Sequence, residues 1–228
     1  MLLETDKTEK NPIYNGASVL PYTIWPNSDR PYFLLGEETY GRDTGCCDDW
    51  GGSKDKGELH PIVTAAREFT EETMGLLGSY SSRHYIDLDN NTEVVMVNES
   101  KKMIVYVTYI PPQVLSNFSK MFYKKRLELQ SELADLRMQP EINYPLCTLL
   151  KNKLDKQRIG WISRDALIET VISAPRTPNG KLIKPVMSKI NIIDARGNLV
   201  YKKVPLRPIF VSKLKNYFRE VQNENEEV

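Results

Sequence analysis

Three glutamates, Glu68, Glu71 and Glu72, are related in sequence as i, i+3 and i+4. On a helix this spacing puts all three carboxylates on one face, where each like-charge pair costs roughly a few tenths of a kcal/mol. A hard divalent cation bound by the carboxylate oxygens removes that penalty. Magnesium keeps several waters and prefers one or two carboxylates together with substrate phosphate, so a three-glutamate face suits metal-assisted phosphoryl chemistry. The ion would acidify an attacking water and neutralise charge on bridging and leaving oxygens, as a pyrophosphate substrate requires. Taken alone, three acids on a helix are more often a solvated face, and Arg67 with Glu71 reads equally as a plain i,i+4 ion pair.

The surrounding residues reverse that balance. They run Gly51-Gly52-Ser53-Lys54-Asp55-Lys56-Gly57-Glu58, then eight residues, then Arg67-Glu68-Phe69-Thr70-Glu71-Glu72-Thr73-Met74-Gly75-Leu76. This segment resembles the signature of the Nudix hydrolase family: a Gly, five residues, a Glu, seven residues, then Arg-Glu-apolar-x-Glu-Glu-x-Gly-apolar. Gly52, Glu58, Arg67, Glu68, Phe69, Glu71, Glu72, Gly75 and Leu76 take those places. One residue is added between Glu58 and Arg67, for a loop before Pro61 to absorb, and one between Glu72 and Gly75, which lengthens the helix end. The glutamate register is untouched. The position of Glu58 is the one the first insertion affects.

The resemblance covers the signature, the preceding Trp50-Gly51-Gly52 and the strand order around it, over 17–110 and 155–173. It implies an α/β fold, a Nudix-like α/β/α sandwich of mixed β-sheet with flanking helices, carrying a helical insertion over about 113–150 and a C-terminal extension. It further implies Glu71 and Glu72 as chief ligands of Mg2+ or Mn2+, Glu68 as ligand or base, Gly52 beside the metal, Arg67 orienting the cluster and Glu58 supporting it. Many members recruit a further carboxylate from a downstream loop. Glu141, Asp155 and Asp165 are the candidates, with Asp155 preferred because it precedes the strand-like RIGWIS at 158–163. The activity implied is hydrolysis, by water attack on phosphorus, of a nucleoside diphosphate linked to another moiety, such as ADP-ribose or a nucleotide sugar. Hydrolysis of an mRNA cap or a diphosphoinositol polyphosphate is an alternative. A module that binds nucleotide or RNA without turnover is another, against which the intact Glu68, Glu71 and Glu72 argue.

These residues need elements to position them. The apolar runs 17–24 and 31–38, separated by Pro26, Asn27 and Asp29, predict two strands and a turn. Pro61 suits a first helical position, and Ile62, Ala65, Ala66 and Phe69 supply an apolar stripe, so a helix is expected over 61–74. Residues 93–97 and 103–110 predict a hairpin ended by Pro111-Pro112. Leu115, Phe118, Phe122, Leu129, Leu133 and Leu136 then recur at helical spacing, predicting one helix over 113–138. A helix over 164–173, opened by Ser163 with Asp165 in its first turn, follows the strand at 158–163. The proline-rich 175–210 reads as a hairpin turning at 195–198, and a last helix is expected over 211–221. The domain spans 17–221, between a loose leader (1–16) and an acidic tail (222–228).

Composition agrees with a globular domain: of 228 residues, 40% are hydrophobic and 27% charged. No apolar stretch is long enough to span a membrane, and MLLETDKTEK lacks the apolar core of a signal peptide. Cys46, Cys47 and Cys147 form no metal or disulfide spacing, which fits a reducing cytoplasm. Charge divides along the chain: residues 1–100 hold 8 basic and 18 acidic residues, net −10, whereas 101–228 hold 23 and 12, net +11. Either the basic half receives an anionic substrate or RNA, or the halves pair across solvated surfaces. Lys124, Lys125 and Arg126 are the candidate basic wall and Trp50 a candidate base-stacking residue, although a tryptophan more often packs a core. His60 reads as a capping or exposed residue at a helix start. The insertion and the C-terminal part are expected to shape specificity or a homodimer contact.

Overall fold

The computed structural model describes residues 13–77, 88, 91–98, 102–115, 117–176, 178–179, 186–193, 199–215 and 218. Strand β1 (Gly16–Ile24) is buried at every position but its last, because neighbours cover both of its edges and both of its faces. Strand β2 (Pro31–Glu38) pairs antiparallel with the end of β1. Two short strands follow, β3 (Cys47–Asp48) and β4 (Trp50–Ser53), and β4 pairs with the start of β1. Helix α1 (Pro61–Glu72) packs on β1 and β4. Strands β5 (Thr92–Asn98) and β6 (Met103–Tyr109) form the expected hairpin, and β6 runs parallel to β1 along its other edge.

The insertion comprises α2 (Pro112–Leu115), α3 (Phe118–Arg137) and α4 (Tyr144–Lys153). Then come β7 (Lys156–Ser163), α5 (Arg164–Ile172), β8 (Val186–Ile193), β9 (Leu199–Leu206) and a helix α6 over 208–215. The sheet order is β3-β9-β8-β7-β2-β1-β6-β5. Because β3 also pairs with β2, the circuit β2-β7-β8-β9-β3 closes on itself. One core, with Trp50, Phe69, Phe118, Phe122 and Leu150, lies between the sheet and α1, α3 and α4. The other, with Leu35, Ile162, Leu167, Ile190, Phe210 and Leu214, lies between the sheet and α5 and α6. The mixed sheet with helices on both faces is the α/β class expected.

Several boundaries differ from the sequence reading. The leader ends early: Tyr14 is buried and bonds Thr64, and Gly16 already belongs to β1. The helix expected over 113–138 is two helices, with Asn117 at the N-cap position of the longer one. Helix α4 was not anticipated as a separate element, although Asn143 caps it by accepting from the Leu146 N–H at 3.1 Å. The last helix starts near Pro208 rather than 211, as a proline suits a first turn. The 195–198 turn and the tail lie outside the described residues. Ser163 caps α5 as expected.

Candidate active site

Arg67 is the hub of the signature. Its Nε donates to Glu58 Oε1 at 2.8 Å, Nη1 to Glu68 Oε1 at 2.8 Å, and Nη2 to the Ser53 carbonyl at 2.9 Å. Glu71 Oε2 stands 3.9 Å from Nη1. Glu58 also accepts from Thr64 Oγ1 at 2.5 Å and from the Asp55 N–H at 2.8 Å. Burial raises the Glu58 pKa, but these bonds outweigh burial and hold it below the usual carboxylate range. Gly52, on β4, lies against Glu68: a Cβ there would stand 2.5 Å from Oε1. The residue added after Glu72 does not lengthen the helix. The chain leaves α1 through a left-handed turn, with φ of 56° at Met74 and 75° at Gly75.

Glu72 has a partner from another strand. The Lys156 ammonium, at the start of β7 and wholly buried, stands 3.4 Å from Glu72 Oε1 and 2.5 Å from Glu38 Oε1. Gly36 makes room for it, since a Cβ there would lie 2.7 Å from the lysine stem. Glu72 Oε2 is buried without a hydrogen-bond partner. Burial pushes the Glu72 carboxyl well above the usual range, with Lys156 opposing. Burial likewise raises Glu68 and Glu71, opposed by Arg67. Lys156 stays an ammonium because Glu72, Glu38 and Asp48 outweigh its burial.

Part of the charge division along the chain is met by ion pairs between the two halves. Arg207 meets Asp43 at 2.9 Å and Asp48 at 2.8 Å, and Lys213 meets Asp49 at 2.8 Å, while Asp49 also accepts from Ser18 at 2.6 Å. Arg158 bonds Glu37. Acids of the first half thus meet bases of the second, mostly in buried contacts and not across solvated surfaces.

Two expectations are corrected. Trp50 is fully buried; its Nε1 donates to the Leu34 carbonyl at 3.0 Å and its ring meets Phe69, Phe118 and Phe122, so it cannot stack on a base. Arg126 is buried and donates from Nη1 to the carbonyls of Leu154 at 2.9 Å and Lys156 at 2.7 Å, so it clamps the start of β7 instead of facing an anion. Lys124 is exposed, and Lys125 pairs with Glu128. Of the downstream acids, Asp155 is half-buried and close enough to Glu72 to raise its pKa. Glu141 is exposed, and Asp165 pairs with Arg30 at the surface. His60 is exposed and makes no side-chain cap. The cysteines are free. Sequence reasoning missed Glu38 and Lys156; the expected strand began at 158, two residues beyond the lysine.

Among the described residues no three Asp, Glu, His or Cys side chains converge tightly enough to hold a metal ion as they stand. Arg67 draws Glu68 one way and Lys156 holds Glu72 another. The donor chemistry nonetheless fits a hard divalent cation: three carboxylates lie on one helix face, and the buried, unpartnered Glu72 Oε2 lacks a positive partner. A cavity of about 220 Å³ lies on the far side of α1, lined by Ala66, Phe69, Leu88, Thr108 and Ile110, away from the carboxylates. Among the described residues no helix is long and apolar enough to cross a membrane.

No protein-family model matches the chain, and no curated protein matches it either. Solved structures similar to it include a Nudix hydrolase, RenU, from M. smegmatis, at 11% identity and TM-score 0.40, covering 92% of this chain and 87% of that one. A mutT/nudix family protein from Listeria innocua has 13% identity and TM-score 0.38, covering 96% of this chain and 100% of that one. Another from Enterococcus faecalis has 11% identity and TM-score 0.43, covering 96% and 65%. Every one of these TM-scores is below 0.5, and the functional reading stands on the residues of this chain.

Proposed function

We propose that this chain is a Nudix-type pyrophosphohydrolase that cleaves a nucleoside diphosphate linked to another moiety, with Glu68, Glu71 and Glu72 holding Mg2+ or Mn2+. The observation that carries this reading is the Arg67 hub, which ties Glu58 and Glu68 together beside Gly52. Bound there, the ion would neutralise phosphoryl oxygens and acidify the attacking water. Arg67 orients the Glu68 carboxylate, Glu58 fixes Arg67, and Glu68 is positioned to accept a proton as general base. Asp155 is the added carboxylate this reading favours.

The pairing of Glu72 with Lys156 favours a second reading, nucleotide or RNA binding without turnover. A panel of ADP-ribose, nucleotide sugars, dinucleotides, capped RNA and inositol pyrophosphates, incubated with magnesium or manganese, separates the two. Hydrolysis in oxygen-18 water should put label on a product phosphate. Binding of an uncleaved member of the panel, with no turnover of any, would select the second reading.

A further inference from the structure

Lys156 is not placed like an ordinary structural lysine. Three elements bring charge to one buried point: α1 supplies Glu72, β2 supplies Glu38 and β7 supplies the ammonium between them. The side chain is wholly buried, its stem lies over Gly36, and its own backbone carbonyl is held by Arg126 Nη1 at 2.7 Å. It therefore cannot swing aside as a surface lysine would. The ammonium is nearer to Glu38 Oε1 than to Glu72 Oε1, and Glu72 Oε2 has no partner at all.

We infer that Lys156 is a resident cation of the carboxylate site: a positioning residue that occupies one oxygen of Glu72, leaves the other for a divalent ion, and sets how tightly that ion binds. This rests on the reading of Glu68, Glu71 and Glu72 as a divalent-cation site. A fixed positive charge beside the ligand repels an arriving cation and competes for the same carboxylate. It also compensates Glu72 when no metal is bound, since a buried carboxylate without a partner is costly. Glu38 modulates this by drawing the ammonium away from Glu72.

Two substitutions give opposite signs. Lys156→Met removes the competitor, so Mn2+ should bind about tenfold more tightly. Glu38→Gln removes the nearer partner that draws the ammonium away from Glu72, so Mn2+ should bind about tenfold more weakly. Mn2+ titration of the full chain, followed by electron paramagnetic resonance and calorimetry, reads both. A purely structural lysine would lower the melting temperature of both variants and leave Mn2+ affinity unmoved, and that result overturns the inference. If Lys156→Met does not fold, Glu38→Gln decides alone, and wild-type affinity in that variant overturns it. Wild-type chain that binds no Mn2+ while Lys156→Met does would support the inference and remove the metal-dependent turnover reading. Failure of all three proteins to bind Mn2+ overturns both, whereas wild-type binding with no shift in either variant overturns the inference alone.

Discussion

Arg67 Nε donates to Glu58 Oε1 at 2.8 Å across a chain segment one residue longer than in the signature it resembles. Just ahead of Glu58, Gly57 adopts a φ of 98° and the Asp55 N–H bonds back to Glu58. The left-handed φ is one that glycine adopts without strain. Leu59 and His60 are exposed in the same loop, so the extra length lies outside the core. Both side chains of the pair are largely buried, and a hydrogen bond between charged groups there is worth about 1.5–3 kcal/mol. Glu58→Gln should lower unfolding stability by that amount and reduce turnover by loosening Arg67. Denaturant unfolding reads the first effect, and an unchanged midpoint would mean that the hub does not depend on Glu58.

Gly52→Ala should damage activity more than stability. The added methyl would sit 2.5 Å from Glu68 Oε1, so the carboxylate must move away from the position Arg67 gives it. All the atoms in the way belong to the free end of the Glu68 side chain, so the fold loses little. Misplacing a catalytic group by about an ångström can cost about a hundredfold in rate. A steady-state assay with the best substrate checks this, and wild-type kcat in a folded Gly52→Ala chain would detach Glu68 from the chemistry.

The parts of this arrangement legible in the sequence are the local ones. Helix α1, the glutamate face and the Ser163 cap depend on neighbours within four residues, where periodicity and capping act directly. Lys156 and Glu38 were not legible, because their pairing joins strands 118 residues apart in sequence and nothing nearby marks a buried lysine. Arg126 was misread for the reverse reason: it sits among Lys124 and Lys125 but on the buried stripe with Phe122 and Leu129, which the basic run masks. Asn143 followed by Tyr144-Pro145 is a usable helix-start signal for α4, hidden by the longer apolar stripe before it.

Glu72→Gln should cut turnover by about 10²–10³, as expected when a group acting mainly in the transition state is neutralised. The fold should tolerate it, because glutamine keeps the shape and Glu38 still pairs with the Lys156 ammonium. Kinetics paired with thermal melts test both halves. Turnover at the wild-type rate would place the reaction elsewhere.

The stabilisation conferred by Mg2+ should grow with pH. Burial holds the Glu72 pKa above its unfolded value, so the folded chain binds this proton more tightly. Its contribution to stability is present at low pH and is lost as pH rises from the ordinary carboxylate value through the raised one. At the proposed site a divalent ion would take the proton's place, so the melting-temperature gain in saturating Mg2+, relative to chelator, should widen as pH rises above the ordinary carboxylate value. Glu72→Gln should flatten the trend. A gain that is constant with pH in the wild-type chain would separate metal binding from Glu72.

Arg126→Met tests the reassignment of that residue from substrate wall to clamp. Its guanidinium satisfies the carbonyls of Leu154 and Lys156, and a methionine of similar length would fill the space while leaving both acceptors unmet. That costs about 1–3 kcal/mol, or roughly 2–4 °C in melting temperature for each kcal/mol in a chain of this size. The salt dependence of KM should match that of the wild type, because a buried arginine does not meet the substrate's charge in solvent. Lys124→Ala is the matched control for an exposed charge. Should Arg126→Met instead raise KM with an unchanged melting temperature, the guanidinium belongs to the substrate site after all.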